Sequence, residues 1–411
     1  MLPPRPMTLL ALTWIVSTFF AEHPAEAAPR LYALVLAKGL AADSEIARRI
    51  ELLADDVERA AGFTAVWCTL DDDVAPEELR TEVQRLVKAE RIQGALLVGG
   101  FRFQRFKNAV GEVATFPEYF EDLDGEFRDD DHDGLLDFYD PWSRDKDDDA
   151  LEIWVAALRP YEDEGPPTLA SYLDKLHEAR SADPPPARAT IFSSKDWAHQ
   201  EDLLGALERL YGVPAALYGG FERGQAVATS PAEFRQAAAE SGRLLFVFAH
   251  SSPSRHHLDQ PAGPAGQIVP FERESPEQVL VEDLELGARA IMIWGCHGLD
   301  LEGIDYPKGR FLANSYCLTR GSACETVLGS GRSIGMESLE TFVRGLRDAP
   351  LPVAWLAYMN HLYRKSYLSD WLGVRDAWEK ERCRFNWSYL LYGNPFVDLG
   401  PGKMQGKTKA K

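Results

Sequence analysis

LLFVFAHSS (residues 244–252) and AIMIWGCHG (290–298) decide the reading of this chain. Each begins as an apolar run too short for a helix and too uniform for a half-exposed strand. Runs of this kind are strands buried on both faces, as in a parallel sheet. The first ends at His250 and the second at Cys296. Upstream, LYALVLA (31–37), FTAVWCTL (63–70), IQGALLVGG (92–100) and LEIWVAALRP (151–160) have the same character. Helical spacing fills the gaps at 45–61, 76–89 and 168–180. Downstream the alternation resumes. Strands are expected at 187–194, 215–219 and 324–330, helices at 200–210, 231–240, 336–347 and 353–364, and a last strand with a turn in SYLLYGNPFVDL (388–399). Strands alternating with helices predict an α/β sandwich: mostly parallel sheets covered by helices on both faces.

The 411 residues are ample for a core, and 45% hydrophobic with 26% charged residues is an ordinary globular balance. The net charge of −20 argues against nucleic acid as a partner. Residues 1–27 read as a secretory signal. Arg5 is its basic end, Thr8 to Ala21 its apolar stretch and Ala25-Glu26-Ala27 its cleavage site. Export, to a periplasmic or extracellular space with no membrane span after cleavage, is therefore expected. The proline run in 181–187 marks a linker. The expected units are an N-terminal α/β subdomain over 28–182, a second over 188–399, and a loose tail over 400–411.

In open α/β sheets functional groups gather beyond the carboxyl ends of strands, where His250 and Cys296 stand. A free thiol, with a pKa of about 8.5, is only slightly ionised at neutral pH. A neighbouring imidazole can take its proton and later protonate a leaving amine. The backbone N–H groups of Ser251 and Cys296 are candidate oxyanion donors. His256 and His257 read as a solvated loop. A zinc site from His250, one of these and Cys296 lacks any tight ligand pair. A second nucleophile reading, Ser333 in GRSIG (331–335), needs a later acid and histidine in turn, but the one later histidine, His361, lies in a helical pattern just 28 residues on, which leaves no room for the remaining strands.

The acidic stretch 121–149 holds 14 Asp and Glu against 3 Lys and Arg. Within it, Asp129, Asp131, Asp133, Leu135, Asp137 and Asp140 fall on positions 1, 3, 5, 7, 9 and 12 of a calcium loop, with Gly134 at the turn position. Leu135 would offer its carbonyl. A structural Ca²⁺ ion is the expected cofactor. Cys317 and Cys324 are close enough in sequence for a local disulfide. Pairing Cys68 and Cys383 as well would leave Cys296 as the odd thiol.

The order of these blocks resembles gingipain-type cysteine peptidases of the caspase-like clan, over roughly residues 90–399. LLFVFAHSS is similar to that family's histidine block and IMIWGCHG to its cysteine block. ALLVGG, Phe116-Pro117, the acidic loop, WVAALRP, Leu173-Asp174-Lys175, VLGSGRS and Leu391-Tyr-Gly-Asn-Pro395 follow its sequence of landmarks. The resemblance implies a caspase-like three-layer sandwich of two subdomains and a peptidase acting on peptide or protein substrates through His250 and Cys296. It also departs. Ser251 stands where the family prefers Gly, Gly295 where Ala is usual, GGF (99–101) for Gly-Asp, and Asn394 for Asp. A catalytically inactive, calcium-stabilised binding module is the alternative.

Overall fold

A computed structural model of the chain describes residues 29–108, 111–142, 149–194, 201–220, 229–258, 266–270, 278–302, 309–332, 338–371 and 388–400. The signal segment, Ser333, Cys383, Asp145, Asp147, Asp148 and the tail beyond residue 400 lie outside them. No helix among the described residues is long and apolar enough to cross a membrane.

Ten strands form one sheet. From the first half of the chain come β1 (Arg30–Ala37), β2 (Phe63–Leu70), β3 (Gly94–Val98) and β8 (Trp154–Leu158). From the second come β9 (Ala189–Ser193), β10 (Ala216–Gly219), β11 (Leu244–Phe248), β16 (Ala290–Trp294), β17 (Thr326–Ser330) and β18 (Tyr389–Gly393). The order is β10-β9-β11-β16-β17-β18-β8-β3-β1-β2. Neighbours are parallel except β17 and β18. The fold is thus mixed α/β with a large, mostly parallel central sheet flanked by helices, as a caspase-like sandwich requires. Strands from the two halves of the chain meet where β18 pairs with β8. Because β17 and β18 oppose each other, β18, β8, β3, β1 and β2 run opposite to the other five strands, and the two sets have their carboxyl ends at opposite edges.

The physical cause of the sheet is plain in its middle. Every residue of β3, β8, β11, β16, β17 and β18 is buried. The edge strand β2 instead alternates towards solvent, with Trp67 48% exposed. Helices cover the faces. In the helix Ser44–Ala61, Ile46, Ile50, Leu53 and Val57 are buried, and Asp43 caps it by accepting from the Glu45 and Ile46 N–H groups. At the carboxyl end of β16, Trp294 stacks on Tyr389 of β18 at 5.3 Å, and Trp355 of the helix Leu351–Trp371 packs edge-on against Tyr389.

The connections hold structure that periodicity does not announce. β4 (Arg105–Lys107) and β5 (Val113–Thr115) form a hairpin, and β6 (Glu126–Arg128) pairs with β7 (Phe138–Asp140) around the acidic loop. Between β11 and β16 a separate sheet is built from β12 (His250–Ser252), β13 (Arg255–Leu258), β14 (Gly266–Val269) and β15 (Gln278–Leu280). His256 and His257 therefore sit on β13 rather than in a solvated loop, and His256 is fully buried. Its Nδ1 lies 2.7 Å from Ser251 Oγ, and burial pushes its pKa down to about 3. It stays neutral at working pH.

Not all of the acidic segment faces water. Glu118, Glu121 and Asp122, on and just after the short helix Glu118–Glu121, are interior. Burial pushes Glu121 up to about 8. Asp122 also rises to about 8, through burial and then the Glu152 charge. Burial and the Glu121 charge drive Glu118 the same way. The folded chain keeps protons here that the unfolded chain releases above about pH 4. Stability from these groups is therefore complete below their unfolded values and lost as pH rises towards about 8. We expect the melting temperature to fall between pH 5.5 and 8.5. Glu121→Gln keeps an acceptor for the Val155 N–H and should flatten that slope, as thermal unfolding across buffers will read out.

Candidate active site

β11 and β16 are neighbours, with Leu244 level with Ala290 and Phe248 level with Trp294. The ladder ends at that last pair, just short of His250 and Cys296. His250 and Cys296 thus each stand two residues beyond the last paired position of neighbouring strands, His250 at the start of β12 and Cys296 in a turn. His250 is exposed and opens β12. Cys296 is half-buried, at the start of the turn after β16. The sulfur is therefore not sealed in the apolar interior.

The segments stay in contact beyond the strands. A Cβ built on Gly295 would lie 2.2 Å from the Ala249 carbonyl and 2.5 Å from Ser251 Oγ. Glycine at 295 is required by this approach, whose backbone side cannot be relieved by a rotamer change. Two departures from the resembling family thus explain each other: Ser251 fills space that Gly295 leaves open. The Ser251 hydroxyl donates to the Ala249 carbonyl at 3.1 Å. With that hydroxyl hydrogen committed, His256 Nδ1–H donates to Ser251 Oγ, while Nε2 is buried without a hydrogen-bond partner and the ring packs against Phe234 and Tyr316. Ser251 is tied from both sides, which holds the turn after His250.

His297 does not continue the strand. It adopts a left-handed backbone (φ 56) in the turn, with Nε2 2.9 Å from Glu112 Oε1 and Nδ1 3.1 Å from the Gly331 carbonyl. Its own N–H donates to the Arg332 carbonyl at 3.0 Å. Glu112 lies in the β4–β5 hairpin. Nothing in the spacing of the sequence singles it out, because the contact is purely tertiary. Asp300, in the same turn, accepts from the Thr115 N–H and hydroxyl, which fastens the hairpin over this edge.

The acidic loop is folded as a compact turn. Asp129 accepts from the Asp133 and Gly134 N–H groups, and Asp133 from that of Leu135. His132 and Gly134 take positive φ. Carboxylate oxygens of Asp129, Asp131 and Asp137 can all lie within 4.8 Å of one another. Asp140 sits on β7, where it accepts from the Trp142 N–H. Lys107 of β4 reaches in, with Nζ 2.6 Å from Asp131 and 2.5 Å from Asp133. That contact is the main cause holding Asp131 below the usual carboxylate range. Spacing alone does not reveal this ammonium.

Several landmarks of the resemblance meet far from the dyad, where β17 begins and β18 ends. Lys175 is buried and donates to the Cys317 and Cys324 carbonyls, both at 2.6 Å. Those two residues are interior thiols with sulfurs 3.9 Å apart. Asn394 Nδ2 donates to Glu325 Oε2 at 3.0 Å, and Arg289 Nε donates to Glu325 Oε1. Cys68 lies on β2 against Glu82, its thiol pushed up to about 12 by burial and the bond to that carboxylate.

A solved structure described as that of a protease superposes on 90% of this chain and 78% of its own, with a TM-score of 0.57 at 11% identity. This chain shares the fold of a protease. No protein-family model matches, and no curated protein matches. At that identity the likeness speaks for architecture, and the chemistry has to be argued from the residues.

Proposed function

We propose that this protein is a cysteine endopeptidase acting through Cys296 and His250. The observation that supports the reading is the pairing of β11 with β16, since His250 and Cys296 each follow the carboxyl end of one of these adjacent central strands by two residues, one open to solvent and the other half-buried. In this reading His250 removes the thiol proton as the sulfur bonds to the scissile carbonyl carbon. The oxyanion accepts hydrogen bonds from the Ser251 and Cys296 N–H groups. His250 then returns the proton to the departing amine as the C–N bond breaks. Water, deprotonated by the same imidazole, hydrolyses the thioester and frees the thiol. The shared protease architecture supports a peptide or protein substrate.

The test is a peptide library scanned at the residue before the cleaved bond, run beside iodoacetamide labelling mapped by mass spectrometry. Cleavage that is lost in step with alkylation of Cys296 is expected. An intact thiol with no cleavage of any peptide would leave the binding-module alternative. Cleavage that survives full alkylation would point to another nucleophile such as Ser333.

The acidic loop is part of the same proposal. Asp129, Asp131, Asp133, the Leu135 carbonyl, Asp137 and Asp140 would hold one Ca²⁺ ion, which prefers 6–8 oxygen ligands. The close carboxylates of Asp129, Asp131 and Asp137 and the glycine-permitted turn support this. The ion would displace Lys107 from Asp131 and Asp133. Its role is structural, bracing the loop between β6 and β7. Millimolar Ca²⁺ is expected to raise the melting temperature by several degrees, and Asp129→Asn to abolish the gain. An equal gain in wild type and variant would remove the site. The reading also takes the protein to be exported after loss of residues 1–27, which N-terminal sequencing of the secreted chain would check.

A further inference from the structure

His297 has both ring nitrogens beside oxygens that can only accept. Nε2 faces Glu112 Oε1 at 2.9 Å, and Nδ1 faces the Gly331 carbonyl at 3.1 Å. A neutral imidazole carries one N–H and would turn a lone pair towards the other oxygen. The arrangement is satisfied only by the imidazolium. Glu112 in turn is fixed: Asn108 Nδ2 donates to its second oxygen at 3.0 Å, and its N–H donates to Asn108 Oδ1 at 2.9 Å.

The ring therefore joins three segments that meet nowhere in sequence. These are the turn holding Cys296, the β4–β5 hairpin and the turn after β17. A left-handed backbone is unfavourable at a residue other than glycine, and these bonds offset it. Since His297 directly follows Cys296, the torsions that the ring fixes help set where the thiol sits.

We propose that His297 is a positioning residue for Cys296: as an imidazolium bound at both nitrogens, it pins the thiol-bearing turn to the β4–β5 hairpin through Glu112 and to the β17 turn through Gly331, and loss of its proton loosens that junction. The role for catalysis rests on the peptidase reading; the pinning itself does not.

The charged groups around the ring agree. Glu112 raises the His297 imidazole above its usual range, outweighing partial burial, and Asp300 in the same turn adds to it. Arg332, whose carbonyl accepts the His297 N–H, is a buried cation that itself faces Glu112, Asp300 and Glu118. The junction is closed below the raised value of His297 and opens as pH climbs through it.

The experiment uses the full chain with ¹⁵N-labelled histidine in a Cys296→Ala background, with His297→Asn to assign the resonance. Asparagine tolerates the left-handed backbone, so that variant keeps the turn. Expected is an imidazole with both nitrogens protonated at neutral pH and a midpoint above the ordinary histidine value, shifted down in Glu112→Gln. Amide exchange in residues 105–108 and 111–115, corrected for intrinsic rates, should accelerate at least about tenfold above that midpoint. In the parent chain, Glu112→Gln should change the rate of Cys296 alkylation, and lower kcat about tenfold with little change in KM. A midpoint at or below 6.5, or one indifferent to Glu112→Gln, would overturn the pinning. Unchanged thiol alkylation in Glu112→Gln would overturn the positioning role. A titration and alkylation shift as expected, in a chain that cleaves no peptide, would instead sink the peptidase reading and leave the junction standing.

Discussion

Cys296→Ala is expected to lower kcat/KM for peptide hydrolysis by at least about 10³-fold. In the proposed mechanism the sulfur is the atom that bonds to substrate, and no other cysteine offers a substitute among the described residues. Cys317 and Cys324 are interior, and Cys68 lies on the β2 edge. The thiol of Cys68 is held protonated by burial and by Glu82. His250→Ala should cost about 10²–10⁴-fold, as removal of a general base does. Residues that act as one unit are not additive, so the double variant should be scarcely worse than Cys296→Ala alone. Because Cys296 is half-buried at a turn, alanine there removes one sulfur without opening the core. An unchanged melting temperature will show that lost activity is lost chemistry. Retained hydrolysis in Cys296→Ala would end the assignment. If Ser333→Ala then abolished it, the nucleophile would lie in the GRSIG turn.

Asn394→Asp is expected to destabilise the fold by roughly 2–5 kcal/mol near neutral pH, although the resembling family carries Asp at this place. The reason is local. Asn394 uses its amide in both senses, donating from Nδ2 to Glu325 and accepting the Phe396 N–H at Oδ1. Its own N–H meets the Tyr172 hydroxyl and the Glu325 carbonyl, each at 2.8 Å. Asp would keep the acceptor and exchange the donor for an oxygen facing a buried carboxylate, with Arg289 already committed to that carboxylate. One of the two carboxyls would have to take a proton. Its folded pKa would rise, so the penalty should vanish below about pH 4 and be complete above the raised value. Thermal unfolding at pH 5 and pH 8 will show the sign. Glu325→Gln combined with Asn394→Asp leaves a single carboxylate and should recover part of the loss in a double-mutant cycle. If Asn394→Asp proved as stable as the parent at both pH values, the Asn394–Glu325–Arg289 arrangement would not be an ionised one.

Gly393, just before this residue, shows how tightly the junction is built. It takes φ 89, and a Cβ there would lie 2.4 Å from the Glu325 carbonyl and 2.7 Å from the Tyr172 hydroxyl. The Leu-Tyr-Gly-Asn-Pro landmark therefore closes the sheet between β17 and β18, at the edge away from His250 and Cys296. A resemblance in sequence order here marks a structural joint.

The central strands were legible because each is a short run of apolar residues buried on both faces, a pattern that helices and half-exposed strands do not make. LLFVF and AIMIW needed no partner to be recognised. The helices followed from apolar stripes such as Ile46, Ile50, Leu53 and Val57. The small strands β4 to β7 and β12 to β15 were not legible. They are three or four residues long, rich in polar side chains, and stabilised by the surface they cover. His256 misled for the same reason, since a polar pair in a Pro/Ser-flanked stretch reads as solvated until β13 is laid against the core.

The layered α/β class, a histidine and a cysteine at strand ends and the spacing of carboxylates in the acidic loop can be read from chain order alone, because each is written in neighbours a few positions apart. Only the tertiary structure decided that β11 and β16 are adjacent and in register, that the sheet reverses direction at β17 and β18, that Lys107 enters the acidic loop and that Glu112 meets His297. These depend on segments brought together by burial of the shared core, and local chain order carries no record of which distant surfaces that burial will join.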